Sequence, residues 1–553
     1  MNMKANKYFI ILLLGGILST GCRKYLDINS DPASPSVPSL PALLPPAQSV
    51  MARALGLDGR LVGQYVQYWA HTGGTGDVFD IHGGNQGGAG GGNQLWRDFY
   101  QLQGPSLNLI IKAGIESQTW DYVGVALAMR AWGFQTATDQ FSDLPFYQAW
   151  EENRVFFDYE DQPTIYRGVD SICRLALQYL SRSDGKVNQA ILARGDQIYQ
   201  GDRSKWIKFV YGILARNYHH QTNKASYSAD SVIKYVDLSL AGLTDNFMVP
   251  HAGSRNDDSN PLGTARDNFS VRRQSRFIVQ LLDGNNFYGS SVAANRDPRI
   301  RGMLSLSPDT STLTTNMPAL NGGYRFHAPN TSYSIGTVGT PAFRQAPATV
   351  WGDSTITNPG IGNFTQRGVG KYLFQNTAAL PVMTYHEMQF IKAEAAFRKG
   401  ATDIALAAYQ NGIRGHFAFV NAVNTSTNGY TAISATEINN YMASAAVKQT
   451  AGTLTLTDIM LQKYIGDWGW NYWETFCDMR RYHYYDLDPI TGSFVYRGFT
   501  PITVFSANNA GPNLAYRFWP TNFSEFDWNI ASLRKIGALN ANYHTYEMWF
   551  SQP

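Results

Sequence analysis

The stretch HEMQF at 386–390 opens like the zinc-protease pattern HExxH, in which two histidines one helical turn apart hold the metal and the glutamate activates water. Phe390 stands where the second histidine belongs, so this helix face offers one ligand. DLDPITGS at 486–493 spaces its oxygens like a calcium loop, but Thr491 takes the place of the glycine that the sharp turn needs. GVGK at 368–371 lacks the upstream glycine of a phosphate loop, because position 365 is threonine. The glycine run at 83–92 follows no strand and opens no βαβ unit, which excludes a dinucleotide loop. No G-x-S-x-G elbow is present. EENRVFFDYED supplies Glu151, Glu152, Asp158, Glu160 and Asp161, and two carboxylates are all that glycoside hydrolysis requires. Their clustering in one polar stretch reads instead as a solvated acidic segment. HAGSRNDDSN carries Asp257 and Asp258 with Asn256 and Asn260, oxygen ligands that could hold calcium, or a polar loop without metal. His219-His220, near a helix end, reads as a surface or capping pair. Nothing here assembles a catalytic set, so a non-enzyme is expected, with no cofactor apart from that calcium option.

Three cysteines occur in 553 residues. Cys173 and Cys477 lie far apart in helix-like segments and are expected to be buried free thiols. Cys22 is different. Lys4 and Lys7 precede an apolar run at 8–18, then Ser19, Thr20 and Gly21 lead to the cysteine. The run falls short of the ~20 apolar residues of a membrane span and has the flanks of an export signal. Small residues before a cysteine resemble a bacterial lipobox, although Ser19 stands where leucine is usual. The expectation is a signal peptide over 1–21, with acylated Cys22 as the membrane anchor. A formal charge of +3 and 16% charged residues argue against nucleic-acid binding. The chain has 13 Trp and 32 Tyr, most of them required by a large helical core.

The elements that would position any site are mainly helical. Residues 22–46 hold a cluster of prolines and read as an extended tether. Helical periodicity covers 47–71 and 94–115, around the glycine run. From 119 to 245, apolar stripes at 3.6-residue spacing alternate with short polar links, and Ser228 is placed to cap one helix. TYHEMQFIKAEAAFRKGATDIALAAYQNGIRGHF reads as a close helical hairpin: Gly400 ends the first helix and Thr402 caps the second. Ala393, Ala396, Ala405 and Ala408 allow close approach. Residues 246–380 are rich in Asn, Ser, Thr, Gly and Pro and read as irregular structure with a few short strands. A helical block follows over 381–485, then a mixed segment over 486–553. The fold class is mostly α, with tetratricopeptide-like (TPR-like) helix pairs in one domain from 47 to 553.

Five segments together resemble the SusD/RagB family of nutrient-binding outer-membrane lipoproteins of Bacteroidetes. They are YLDINSDP after Cys22 with LLPPAQ; TDQFSDLPFYQAW, with Asp143, Pro145, Tyr147 and Ala149; LPVMTYHEMQFIKAEAAFRKG, with Glu387 and Glu394; IMLQKYIGDWGWNYWETFCDMRRYHYYDLDP, with Lys463, Tyr464, Trp473, Asp478, Arg480 and Arg481; and NLAYRFWPTNFSEFDWN, with Arg517, Pro520, Glu525 and Asn529. Ser142 departs from the family's usual glycine. The resemblance implies a right-handed superhelical scaffold of TPR-like pairs carrying a loop-rich, ligand-facing half. It also implies a partner, a TonB-dependent SusC-like barrel, and an outer-membrane location facing the cell exterior. The matched residues read as structural, with Glu394, Arg480 and Arg481 in an ion-pair network between helices.

The expected function is capture of an oligosaccharide for delivery to that barrel. The alternatives are a non-catalytic cap of a transporter importing peptide or another nutrient and, further off, a glycoside hydrolase. Sugar binding calls for aromatic faces and hydroxyl-bonding side chains on loops. The aromatics placed to contact ligand are Trp69, Phe79 and Trp96 beside the glycine run, and Tyr324, Phe326 and Trp351 in the irregular region.

Overall fold

The computed structural model describes residues 38–73, 75–84, 93–307, 323–331, 347–358, 362–425, 427, 429–500, 502–520 and 522–553. Cys22, the leader and residues 85–92 of the glycine run lie outside them. Among the described residues, the helices of ten or more residues are α1 (Leu40–Tyr65), α2 (Gly104–Ser117), α3 (Trp120–Phe141), α4 (Gln162–Leu180), α5 (Arg203–His219), α6 (Ala229–Leu238), α7 (Tyr385–Lys399), α8 (Thr402–Val423), α9 (Leu456–Asp467) and α10 (Tyr472–Arg481). From α2 to α6 each helix packs on the next; α6 then packs on α7, and α7 on α8. This run of adjacent helix pairs is the scaffold. α9 lies against α7 and α8, and α10 joins α9 to α3 and α1.

The strands are short and pair in twos: β1 (Trp69–His71) with β3 (Arg272–Gln274), β2 (Phe247–Val249) with β6 (Leu380–Met383), and β4 (Asp353–Asn358) with β5 (Gly362–Arg367). All three pairs are antiparallel. All the strands but β1, which follows α1, lie in the segment between α6 and α7.

Local chemistry explains the helix ends. Asp161, Asp202 and Ser228 cap α4, α5 and α6 by accepting backbone N–H bonds. Thr384 and Glu387 form a reciprocal capping box on α7, and Gly400 closes it with φ +82°, a conformation glycine adopts without penalty. Thr402 is the first residue of α8, not its cap, which is Ala401. Ala393, Ala396, Ala405 and Ala408 are buried between the two helices. At Gly412 a Cβ would come within 2.7 Å of the Phe390 ring, so the hairpin closes only around a bare backbone there. α1 begins inside the stretch expected to be tether and carries Pro45 and Pro46. Each proline removes a ladder donor. The helix continues because Leu44, Ala47 and Met51 are buried, while buried Gln48 donates to Asp196 and accepts from the Gln197 N–H, both at 2.9 Å.

Between α5, α7, α9 and α10 the interior is ionic. Arg216 meets Glu387 at 2.6 Å and lies 3.6 Å from Glu474. Arg481 meets Glu394 at 2.8 Å and Asp478 at 2.6 Å, and Lys463 joins Asp478 at 2.7 Å. Arg398 and the Tyr482 hydroxyl complete the shell of Glu394. An unpaired buried charge costs several kcal/mol, so these groups enter the core as a set. Arg480 has a different role, donating to the backbone carbonyls of Asp139 (2.6 Å) and Tyr516 (2.8 Å). His219 and His220 are not at the surface: their side chains are 0% and 1% exposed. His219 faces Glu394 at 2.8 Å, and His220 lies between Glu474 at 2.8 Å and Asp139 at 3.2 Å. Burial takes His219 down to about 4 despite Glu394. Burial also pulls on His220, but Glu474 and Asp139 together outweigh it and hold the imidazole at about 9. Cys173 and Cys477 are buried and free.

Candidate functional site

β3 is a junction. One edge takes β1, with Trp69 opposite Gln274 and His71 opposite Arg272. Single bridges then attach Thr349 to Arg273 and His327 to Ser275. The buried side chain of Gln274 donates to the carbonyls of Ser305 (3.0 Å) and Arg325 (2.7 Å) and accepts the Ser305 N–H. Arg273 Nε donates to the Pro347 carbonyl at 3.0 Å. The Ser307 N–H donates to the Gly323 carbonyl at 2.9 Å. Three residues of strand therefore collect four distant segments of chain on one face.

Asp80 fixes the neighbouring turn. Its carboxylate accepts the N–H groups of His71 (3.2 Å) and Asn330 (3.1 Å) and the Gln64 amide (2.8 Å). Asn330 Oδ1 accepts the Gly76 N–H at 2.8 Å, so the 71–80 turn and the 323–331 segment move as one piece. Burial raises Asp80 to about 6, against the pull of these hydrogen bonds. His71 lies 3.4 Å from Asp77. On the same junction the Arg276 guanidinium lies over the Phe326 ring, 5.3 Å from its centroid. Both side chains are half-buried. Among the described residues no carboxylate pairs with Arg276 and no acceptor takes its Nε–H. Nε is itself buried, so the Nη groups of this guanidinium, steadied by the aromatic ring, are the donors that suit neighbouring oxygens on a ligand.

The aromatics expected to contact ligand are placed unevenly. Phe326 is on this face and half-buried. Tyr324, two residues before it, is 8% exposed, and Phe79 is 7% exposed against Tyr65. Trp69 is fully buried, donating its indole N–H to the Arg60 carbonyl and meeting Phe269 edge-on. Trp351 is buried and donates to the Leu262 carbonyl at 2.8 Å. Trp96 lies elsewhere, in the core against Phe141 and Tyr159. Trp69, Tyr324, Phe326 and Trp351 thus converge around β3, but packing takes the indoles. Arg276 was not singled out in the sequence: VRRQSRF has no pattern that distinguishes one arginine from the next.

The model of a family described as starch-binding and associating with the outer membrane matches residues 32–495. The chain belongs to the SusD-like family. No curated protein matches it. Solved structures do. A chitin-binding protein aligns with TM-score 0.66 at 18% identity, covering 92% of this chain and 99% of its own. A SusD/RagB family protein of Bacteroides thetaiotaomicron gives 0.66 at 19%, covering 93% and 99%. A SusD homolog of Bacteroides fragilis gives 0.65 at 17%, covering 92% and 100%. At these identities the agreement is one of fold, and it places the helical scaffold of this SusD-like chain among theirs.

In this SusD-like protein the buried motif residues hold the frame. Asp143 accepts the Gln162 N–H at the start of α4, and Glu525 accepts the Tyr159 hydroxyl at 2.5 Å. A polar cleft of about 790 Å³ lies against α1, lined by Arg53, His251, Asn256, Asp257, Asp258 and Arg266 among others. Asp258 is engaged within its own turn by the Arg255 N–H (2.8 Å) and Ser254 Oγ, while Asp257 points to solvent 4.0 Å from Arg255. The two carboxylates leave few free oxygens for the six to eight that calcium takes. Among the described residues, Asp139, His220 and Cys477 bring potential metal-ligand atoms within 4.8 Å of one another. There the histidine is the charged centre of an ion pair, and Arg480 donates to the sulfur at 3.1 Å.

Proposed function

We propose that this protein is a cell-surface lipoprotein, anchored through Cys22, that captures an oligosaccharide on the face around β3 and passes it to a TonB-dependent SusC-like barrel. The observation that carries the reading is the Arg276–Phe326 pair, an unpartnered guanidinium over a half-open ring, in a chain whose family is described as starch-binding. The exposed part of the ring offers apolar contact to the C–H groups of a sugar. The Nη groups of the guanidinium offer N–H donors to its hydroxyls. An open site of this kind binds at roughly micromolar to millimolar strength. No bond-breaking step is assigned to this junction.

Calorimetry of the protein lacking residues 1–22, against starch- and chitin-derived oligosaccharides and a peptide panel, tests the reading. Glycan binding that weakens in Arg276→Gln and Phe326→Ala supports it. Binding of peptides alone would leave a non-catalytic cap for another nutrient, and new reducing ends in the mixture would mark a hydrolase. Loss of membrane association in Cys22→Ala tests the anchor separately.

A further inference from the structure

Among the described residues, the aromatic side chains more than half exposed are Tyr147 (67%), Phe156 (61%) and Trp528 (57%). They belong to segments that hydrogen bonds tie into one surface. Leu144 and Glu160 form a backbone bridge, and the Glu160 carboxylate accepts the N–H groups of Phe146 (2.7 Å) and Tyr147 (3.2 Å). Gln148 donates to Asp158 and accepts the Asp158 N–H, at 2.9 and 2.8 Å. The Phe157 N–H donates to Asn529 Oδ1 at 2.8 Å, and Ser532 Oγ donates to the Phe157 carbonyl at 2.8 Å. Trp528 is the neighbour of Asn529 in the chain.

The same loop shows what an inward aromatic does. Trp150 turns under the loop, donates its N–H to the Tyr100 carbonyl at 2.7 Å and packs edge-on against Phe99. Tyr147 and Phe156 flank it in sequence and stay in water. Their exposure is therefore not a consequence of a loose segment: the backbone is pinned on both sides. A pinned backbone holding rings in solvent is preorganised for a ligand, and these three exposed rings stand on segments tied to one another.

We propose that Tyr147, Phe156 and Trp528 form a second carbohydrate platform, apart from the face around β3, that stacks on the sugar rings of a longer chain. This rests on the glycan-binding reading above. The composition favours a saccharide over a protein surface. The rings are interleaved with polar groups that internal bonds hold in place, Gln148 against Asp158 and Arg154 against Glu151 at 2.6 Å, and Val155 is 55% exposed. Sugars present this pairing, apolar C–H faces rimmed by hydroxyls. Two platforms on one chain raise the retention of a polymer above that of a short oligomer.

Affinity electrophoresis and calorimetry on the protein lacking residues 1–22 provide the test, with starch and chitin fragments of increasing length. The triple variant Tyr147→Ala/Phe156→Ala/Trp528→Ala is expected to lose about tenfold affinity for long chains and little for short ones. Phe326→Ala is expected to weaken both. Since the three rings are exposed, the melting temperature of the triple variant stays near that of the wild type. Unchanged long-chain affinity in the folded triple variant overturns the platform and leaves the β3 site standing. So does intact glycan binding with lost association to the barrel, which would make the surface a protein interface. A wild-type protein that binds no glycan of any length overturns both proposals.

Discussion

Arginine is used in two ways in this molecule. Between α5, α7 and α10, Arg216 and Arg481 are almost sealed from water and each meets carboxylates at 2.6 to 2.8 Å. On the face around β3, Arg276 is half-buried and lies on Phe326 with no carboxylate paired to it among the described residues. Desolvation is partial at the second place and nearly complete at the first. In the interior the partners come from the chain itself, and the result is a fixed scaffold. At the face no carboxylate among the described residues takes that place, and in the proposed reading a ligand does. Whether a charge is already satisfied separates the two uses better than residue type does.

The largest effect is expected where that satisfaction is removed. Glu394→Ala strands Arg481, His219 and Arg398, and should cost about 3–5 kcal/mol in urea unfolding. A cost below ~1 kcal/mol would break the comparison. Next is pH. His220, raised to about 9 in the folded state, contributes stability fully present below its unfolded value near 6.5 and lost as pH rises through 9. His219, lowered to about 4, acts in the other sense: the unfolded chain binds its proton first, so stability falls as pH drops from 6.5 toward 4. Each limb is worth roughly 3 kcal/mol. Stability should therefore peak near pH 6.5, with His220→Gln removing the alkaline limb and His219→Gln the acid one. Smaller again, Arg276→Gln should weaken glycan binding about tenfold while leaving unfolding within ~0.5 kcal/mol. The smallest effect is expected at the exposed Lys399–Asp230 pair, where Lys399→Ala should change stability by less than ~0.5 kcal/mol.

The sequence carried the parts set by local chemistry. The α7–α8 hairpin was legible because Gly400 and the alanines act within a few residues of where they stand. The Glu394–Arg481 pair was legible only through the family pattern. His219-His220 was misread because its partners, Glu394 and Glu474, are 175 and 254 residues away, and no spacing in the chain announces them. The helical start at Leu40 was hidden by prolines whose cost is offset by contacts with Asp196 and Gln197. Trp69 and Trp351 were expected to face ligand because one flanks the glycine run and the other lies in the irregular region. They are buried because both indoles pack into the same hydrophobic core as the helices, Trp69 edge-on against Phe269 and Trp351 with its N–H bonded to the Leu262 carbonyl.

The hydrogen bond from the Ser307 N–H to the Gly323 carbonyl has an evolutionary consequence. It joins two points of the chain that are separated in sequence. The entropy of closing a chain between two such points grows only with the logarithm of the length between them, about 0.6 kcal/mol per doubling. A change in the number of residues between Ser307 and Gly323 is therefore inexpensive for the frame, and relatives can differ in length there while the helices behind stay the same.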